Sequence, residues 1–516
     1  MQTSVVSIFG MDFELRQWER GDPVITGDCL AVDTETELLI SGAPIKPVTC
    51  QVCDLERRVV EIATYPYFDE YVEALFGNNP STTWLMHNAA FDVNVCGRLP
   101  SKWLVRALDS GKLIDTAIRF ILHTLQDGIF VGTYGLDYAV KIMTGYTIPK
   151  DDELRLQFKQ GVALRPDQLQ YAVTDPVATA LLASCMQRQY PTEDVQLRGA
   201  MALHWCSLNG LLVDRDYMQQ LTEKLQANTV QAKRRLTHWG WHPGRSGNAG
   251  VLQTLMQFFE QQAGITLPRT EVAGTIKVGK EAKLLFPVNQ VPAFIDDYVD
   301  YKHDEKVLTT YLNPEYIGAD GRVHSYFAPL VKTGRTSSAR PNVQNPPKKG
   351  GIRGIYMAPP GTVLCSTDYN QIELCALAQS CYTRFGYSRM REIINEGTDL
   401  HTFFGREICR SNGVDPDTLK DKEFKTLYRS YAKVLNFGKP GGLGATKLVT
   451  TARNSGIELT VDKAKELIKI WLETFPEMVD HLKPQEDPAH YGFYVASTIH
   501  GRYRSCATYN AACNYP

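Results

Sequence analysis

Five acids and a tyrosine are placed where they could do chemistry. Asp33 and Glu35 stand two apart at the end of the apolar run Cys29-Leu30-Ala31-Val32, so in a strand both carboxylates point to one face. Like charges there repel, and a divalent cation held between them is the simplest remedy; a solvated strand end is the alternative. Asp92 follows a second apolar run, Trp84-Leu85-Met86, after His87 and Asn88. Tyr171 and Asp175 are four apart, which puts them on one face of a helix. Asp368 ends the apolar run Val363-Leu364-Cys365, read as a strand. A carboxylate at a buried strand end needs a compensating cation such as a divalent metal, whereas at a turn or helix cap it needs none.

Cations form two further groups. Arg429, Lys433 and Phe437 recur every four residues, so two positive charges and a ring line one helix face, a pattern suited to the phosphates, sugar and base of a nucleoside triphosphate. Between Lys332 and Arg353 lie Arg335, Arg340, Lys348 and Lys349 with no acid among them. Gly334, Pro341, Pro346 and Pro347 break any long helix there, which makes the segment an extended loop of the kind that tracks phosphates, or a solvated basic loop.

The elements that must position these residues are those of an α/β protein. At 516 residues the chain is too long for one core, and its 43% hydrophobic and 22% charged fractions are those of a soluble globular protein. A net charge of −2 carries no overall nucleic-acid signature. No apolar run spans a bilayer and the start lacks a secretory signal, so a cytoplasmic location is expected, in a host cell if the gene is a phage's. Cys50 and Cys53 form a lone Cys-x-x-Cys in a strand-like run and read as reduced packing cysteines. Asp115 reads as a helix cap outside the acid set. His303-Asp304-Glu305 sits in a charged helix, and Val461 to Phe475 is an amphipathic helix that serves core packing alone.

The order and spacing of the first three acid segments resemble the Exo I, II and III motifs of 3′→5′ proofreading exonucleases, in the subclass with Tyr in the third motif. That resemblance implies that Asp33, Glu35, Asp92 and Asp175 hold two Mg²⁺ ions roughly 3.5–4 Å apart, with Mn²⁺ as a substitute, and that Tyr171 orients the attacking water. A phenol titrates near pH 10, so its role is hydrogen bonding rather than general-base work.

Downstream, Asp368-Tyr369-Asn370-Gln371-Ile372-Glu373-Leu374 resembles the first catalytic motif of family A, DNA polymerase I-like, polymerases, with Asn370 in place of Ser. By that resemblance Asp368 holds both metals of the polymerase site and Glu373 closes off the sugar 2′ position. Thr333 to Ser338 and Pro341 to Pro346 resemble the segment at the primer terminus, which implies DNA contacts by Arg335, Asn342, Gln344 and Arg353. Arg335 would lie in the minor groove, where acceptors are alike for all correct pairs. The Arg429, Lys433 and Phe437 helix resembles the family's O helix, and His401 matches a further triphosphate-contacting position; without the resemblance it reads as a surface histidine. Trp239 to Asn248 resembles part of a thumb that grips the duplex backbone, and His303-Asp304-Glu305 falls in what resembles the last thumb helix rather than in the second catalytic motif.

The expected organisation is a ribonuclease-H-like exonuclease domain over 1–190 and a right-hand polymerase domain over 191–516. Within the latter, the thumb is expected at about 215–311, the palm at about 195–214, 312–380 and 500–516, and the fingers at about 381–499. Two departures from the family stand out. Gly441 replaces a usual Tyr, and the His-Asp hairpin that supplies the second metal-holding Asp is missing after Tyr509 to Pro516. The palm is then incomplete, Tyr509 to Pro516 would expose apolar surface, and a second polypeptide is the expected partner beside DNA primer-template and deoxynucleoside triphosphates. The implied function is phage-type, proofreading DNA replication. The rivals are a metal-dependent exonuclease with an inactive, DNA-holding hand, and a non-catalytic DNA-binding scaffold.

Overall fold

The computed structural model describes residues 2–97, 101–129, 133–149, 152–244, 248–270, 273–286, 290–348, 350–454 and 456–516. Lys349 of the basic loop and Arg245, Ser246 and Gly247 of the thumb-like stretch lie outside the described residues. No described helix is long and apolar enough to cross a membrane.

The first part is built on a seven-stranded sheet from β1 (Gln2–Ile8), β2 (Met11–Gln17), β3 (Cys29–Thr36), β4 (Pro47–Asp54), β5 (Val59–Thr64), β6 (Thr83–Met86) and β7 (Leu113–Asp115), in the order β1-β2-β5-β4-β3-β6-β7. β3 pairs antiparallel with β4 and parallel with β6, so it is covered on both edges. Strict alternation sorts its residues: Leu30 and Val32 join the core that contains Phe68, Tyr71 and Trp84, while Ala31 joins the opposite core with Val173 and Val177. Asp33 and Glu35 continue the Ala31 series toward the long helix Pro166–Cys185, which packs on β3 and β4. Alternation also settles the cysteine pair. Cys50 points into one core and Cys53 into the other, so they cannot share an ion, and all twelve cysteines are free.

After the helix Glu193–Asn209 the chain enters a small sheet in which Leu211–Val213 lies between Arg322–Val323 and Tyr356–Met357. Two long helices, Arg215–His238 and Ala293–Thr310, pack together over a core of Leu236, Trp241, Phe259 and Phe294. His303 and Asp304 lie in the second of these, as their charged-helix pattern predicts. A further core, from Leu374 to Met478, gathers the helices around Tyr428–Gly438. The strands Gln485–Glu486, Tyr494–Ser497 and Tyr503–Cys506 form one sheet, so pairing crosses residue 499, where the fingers were expected to end.

Three local expectations change. Val363 to Thr367 forms no strand: it is irregular and exposed, with Val363 at 87% and Leu364 at 63%, because no described strand lies beside it to complete a ladder. Conversely, Ala512, Cys513 and Tyr515 of the last segment are buried, so the uncovered apolar surface lies at 363–372 instead. The amphipathic helix, Val461–Thr474, does more than pack. The Trp471 indole Nε1 donates to Asn436 Oδ1 at 2.8 Å, and Asn436 Nδ2 lies 3.1 Å from His401 Nδ1, all three side chains being buried.

That triad holds three helices in register, and each polar atom needs its partner because water is excluded. Asn436→Ala is expected to destabilise the chain by about 1–3 kcal/mol, read as a lowered urea midpoint by tryptophan fluorescence. A loss below ~0.5 kcal/mol would show that the indole finds another acceptor.

Candidate active sites

The N-terminal site assembles where β3 ends against the tyrosine-bearing helix. Asp33, Glu35 and Asp175 each offer a carboxylate oxygen, and these oxygens lie within 4.8 Å of one another. Among the described residues no other group of three His, Cys, Asp or Glu side chains gathers so closely. Three oxygen donors at that spacing fit a hard divalent cation. Tyr171 lines the same cleft, one helical turn before Asp175.

Asp92 reaches the cleft from the helix Ala89–Cys96 but lies outside the close trio. Its Oδ1 accepts from the Thr34 hydroxyl at 2.8 Å, and Thr34 lies between Asp33 and Glu35 on the opposite strand face. Asp33 is braced in turn by Gln51, whose Nε2 donates to it at 2.8 Å from the neighbouring β4. Asp115 caps the helix Thr116–Gln126 through the Ala117 and Ile118 amides, and it also accepts from the amides of Asn88 and Ala89. One buried carboxylate thus ties down the turn that launches the Asp92 helix, where Asn88 adopts a left-handed φ of 63°.

Burial dominates the electrostatics. It pushes Glu35 up to about 8 and Asp175 to about 7, in both cases against the favourable charge of Arg155, with Asp175 adding repulsion at Glu35. Asp92 rises to about 7 by burial, opposed by the Thr34 hydrogen bond. Asp33 is raised well above the carboxylate range by burial and then by the charges of Asp175, Asp92 and Glu35. Tyr171 is also raised, by burial and then by Glu35 and Asp175, so its phenol stays protonated at neutral pH. Arg155, Thr34 and Gln51 were not singled out in the sequence. No spacing marks Arg155; it enters through the short helix Asp152–Arg155 and lines the cleft.

The second site is less complete. Arg429, Lys433 and Phe437 lie along the helix Tyr428–Gly438, with Lys433 and Phe437 exposed. Arg429 is held by Asp399 at 3.2 Å and by the Thr402 hydroxyl. His401 is buried rather than on the surface: its ring packs 5.0 Å from Phe437, and burial, aided by Arg429 and Lys433 against Asp399, lowers its imidazole to about 4. Asp368 is exposed and not at a buried strand end, and no other acid joins it in a close ligand cluster among the described residues, so the described acids do not fit a metal pair there. Glu373, at the start of the helix Ile372–Phe385, pairs with Arg335 at 3.1 Å. Asn342 and Gln344 brace their own loop: Asn342 Oδ1 accepts from Ser338 and from the Asn345 amide, and Gln344 donates to Thr336. Arg353 is exposed and reaches the Pro346 carbonyl at 3.4 Å.

Gly441 has a local explanation. A Cβ there would meet the Asn514 amide at 2.4 Å, and Asn510 donates to the Gly441 carbonyl at 2.8 Å. The helix Tyr509–Asn514 occupies the space that a larger side chain would need.

The acid cluster sets a pH dependence. Glu35, Asp92 and Asp175 titrate near 7 to 8 when folded but near 4 when unfolded, so between those values the native state holds protons that the unfolded chain releases. Their contribution to stability is therefore complete at low pH and lost as pH rises through the folded values. In chelator, the first melting transition is expected to fall between about pH 5 and 8, and a divalent cation should raise it more at the upper end. Asp33→Asn with Glu35→Gln should flatten both effects; a metal-free transition that rises with pH would contradict the cluster's assignment.

The family model for DNA polymerase family A matches residues 215–514, and that for 3′-5′ exonuclease matches 17–191. The chain is 28% identical over 458 residues to DNA polymerase I of Chloroflexus aurantiacus, covering 84% of this chain and 45% of the relative. It is 28% identical to DNA polymerase I of Synechocystis over 65% of this chain and 33% of the relative, and 26% identical to thermostable DNA polymerase I of Thermus thermophilus over 62% and 37%. The chain thus spans less than half the length of these relatives. A solved structure titled as the POL domain of Pol1 from M. smegmatis, in complex with DNA primer-template and dNTP, superposes with a TM-score of 0.64 at 19% identity, covering 94% of this chain and 82% of that one. With its polymerase model matched over more than half its length and an exonuclease model before it, the chain belongs to DNA polymerase family A.

Proposed function

We propose that the chain is the exonuclease part and most of the hand of a proofreading DNA-directed DNA polymerase. The observation that carries the reading is the assembled trio of Asp33, Glu35 and Asp175 beside Tyr171 in one cleft, on a chain whose remainder matches the polymerase family. Asp33, Glu35 and Asp175, with Asp92 beside them, would hold Mg²⁺, or Mn²⁺ in its place. The ions would supply an activated water and neutralise charge on the leaving 3′ oxygen. Tyr171, protonated at neutral pH, would orient the attacking water by hydrogen bonding, while Gln51 fixes Asp33 and Thr34 fixes Asp92.

In the hand, Lys433 and the Asp399-oriented Arg429 would take the triphosphate, Phe437 the sugar and base, and buried His401 would support the ring from behind. Glu373 would exclude a 2′ hydroxyl, and Arg335 would test the primer-terminal pair, with Asn342 and Gln344 shaping its loop and Arg353 meeting the backbone. Asp368 alone is a poor clamp for two divalent ions. We propose that a carboxylate from polypeptide outside these 516 residues, either more chain or a second subunit, completes the site by docking on exposed Val363 to Ile372, where Tyr369 is 79% exposed. The second reading, an exonuclease whose hand only holds DNA, is favoured by the same contrast between an assembled trio and a lone Asp368.

Replacing Asp33 and Glu35 by Ala is expected to cut Mg²⁺-dependent 3′-end digestion by at least ~10²-fold while duplex binding persists. Digestion at an unchanged rate would remove the first site from the reading. Glu373→Ala should raise ribonucleotide over deoxyribonucleotide incorporation on the order of tenfold in an extending assembly. Primer extension with and without a polypeptide supplying the missing carboxylate separates the two readings: if neither mixture extends, the exonuclease reading stands.

A further inference from the structure

The loop assigned to the primer terminus has a second neighbour. Tyr326–Ala328 and Ser337–Ala339 form a hairpin, and its connecting loop is closed by bonds from the Val331 amide to the Arg335 carbonyl and from the Gly334 amide to the Val331 carbonyl. Leu330 of this loop is 2% exposed and belongs to the same apolar core of the N-terminal sheet as Leu30, Val32 and Trp84. The Tyr326 hydroxyl meets that of Tyr134. The hairpin is therefore seated in the exonuclease unit by a buried apolar anchor and a polar contact.

Its cations divide. Arg335 turns to Glu373, whereas Lys332 and Arg340 line the cleft of about 1190 Å³ that also holds Asp33, Glu35, Asp92, Asp175 and Tyr171. Both are exposed, and neither has an ion pair among the described residues. Tyr326 stands at the same wall with half of its surface open. Two unpaired cations and an exposed ring, facing catalytic-type carboxylates across a cleft, form the combination that binds a single strand: charge for the phosphates and a π-face for a base.

We propose that this hairpin is part of the exonuclease's substrate site, with Lys332 and Arg340 binding the phosphodiester backbone of a single-stranded DNA 3′ end and Tyr326 stacking on one of its bases. The proposal rests on the exonuclease reading and adds residues from beyond the matched exonuclease segment, 17–191. Because Arg335 of the same hairpin pairs with Glu373, one element would serve both sites, and a frayed primer end would pass from Arg335 to Lys332 and Arg340 along it.

The test compares the wild-type chain with Lys332→Ala/Arg340→Ala, with the charge-restoring Lys332→Arg/Arg340→Lys, and with Tyr326→Ala. The first readout is binding of a fluorescent single-stranded oligodeoxynucleotide in chelator, by anisotropy across a salt series. The second is the KM and kcat of its 3′ digestion in Mg²⁺. The double alanine variant is expected to raise Kd and KM on the order of tenfold, with kcat little changed, and to lower the salt slope by about 1.4; the charge-restoring variant should recover both. Tyr326→Ala should weaken binding without changing the slope. Unchanged Kd, KM and slope in the double variant would overturn the proposal, and so would a fall in kcat alone, which would mark the hairpin as a structural brace. If the wild type binds but does not digest, the exonuclease reading fails, and the anisotropy series still decides the role of the hairpin.

Discussion

The burial of carboxylates clustered at one strand end is the constraint on which the N-terminal half depends. Asp33, Glu35 and Asp175 are drawn together at a strand end where burial penalises each charge, and a fold that leaves them so must supply either protons or a cation. The surroundings act as a brace for the cluster. Gln51 fixes Asp33 across the β3–β4 pair, Thr34 holds Asp92, and Asp115 anchors the turn from which the Asp92 helix starts. Arg155 offsets part of the charge at Glu35 and Asp175 without neutralising it. The arrangement suits a divalent cation and, without one, favours protons on the clustered acids.

The fingers-like helices solve a different problem, which is to keep an exposed cationic face in register. Lys433 and Phe437 stay at the surface because the opposite side of their helix is pinned by Asn436, which is shared between Trp471 and His401. Burial lowers the His401 imidazole, aided by Arg429 and Lys433 against Asp399, and its ring packs beside Phe437 on the cationic face. The Asp399 carboxylate does for Arg429 what Gln51 does for Asp33.

Between these halves, Leu330 couples the cation-rich loop to the core of the N-terminal sheet, and Arg502 stacks on Tyr515 while reaching the Gly334 carbonyl. The cation-rich loop is thus held from both sides. The segment from Val363 to Ile372 instead presents Val363, Leu364, Tyr369 and Ile372 to solvent, the opposite of what its composition alone would suggest.

Much of the chemistry was legible from spacing. Period-two alternation put Asp33 and Glu35 on one face, and a four-residue repeat aligned Tyr171 with Asp175 and Arg429 with Lys433 and Phe437, because strand and helix geometry are local properties of the chain. The cap at Asp115 and the charged helix around His303 were legible for the same reason. What alternation cannot state is which distant element meets each face. The Thr34–Asp92 and Asp33–Gln51 bonds, the approach of Arg155, the burial of His401 and the seating of Leu330 all join residues that are remote in sequence or lie on other elements. The strand expected at Val363 shows the same limit from the other side: apolar composition favours extension, but a strand exists only where a second strand accepts its hydrogen bonds, and only the tertiary structure decides that.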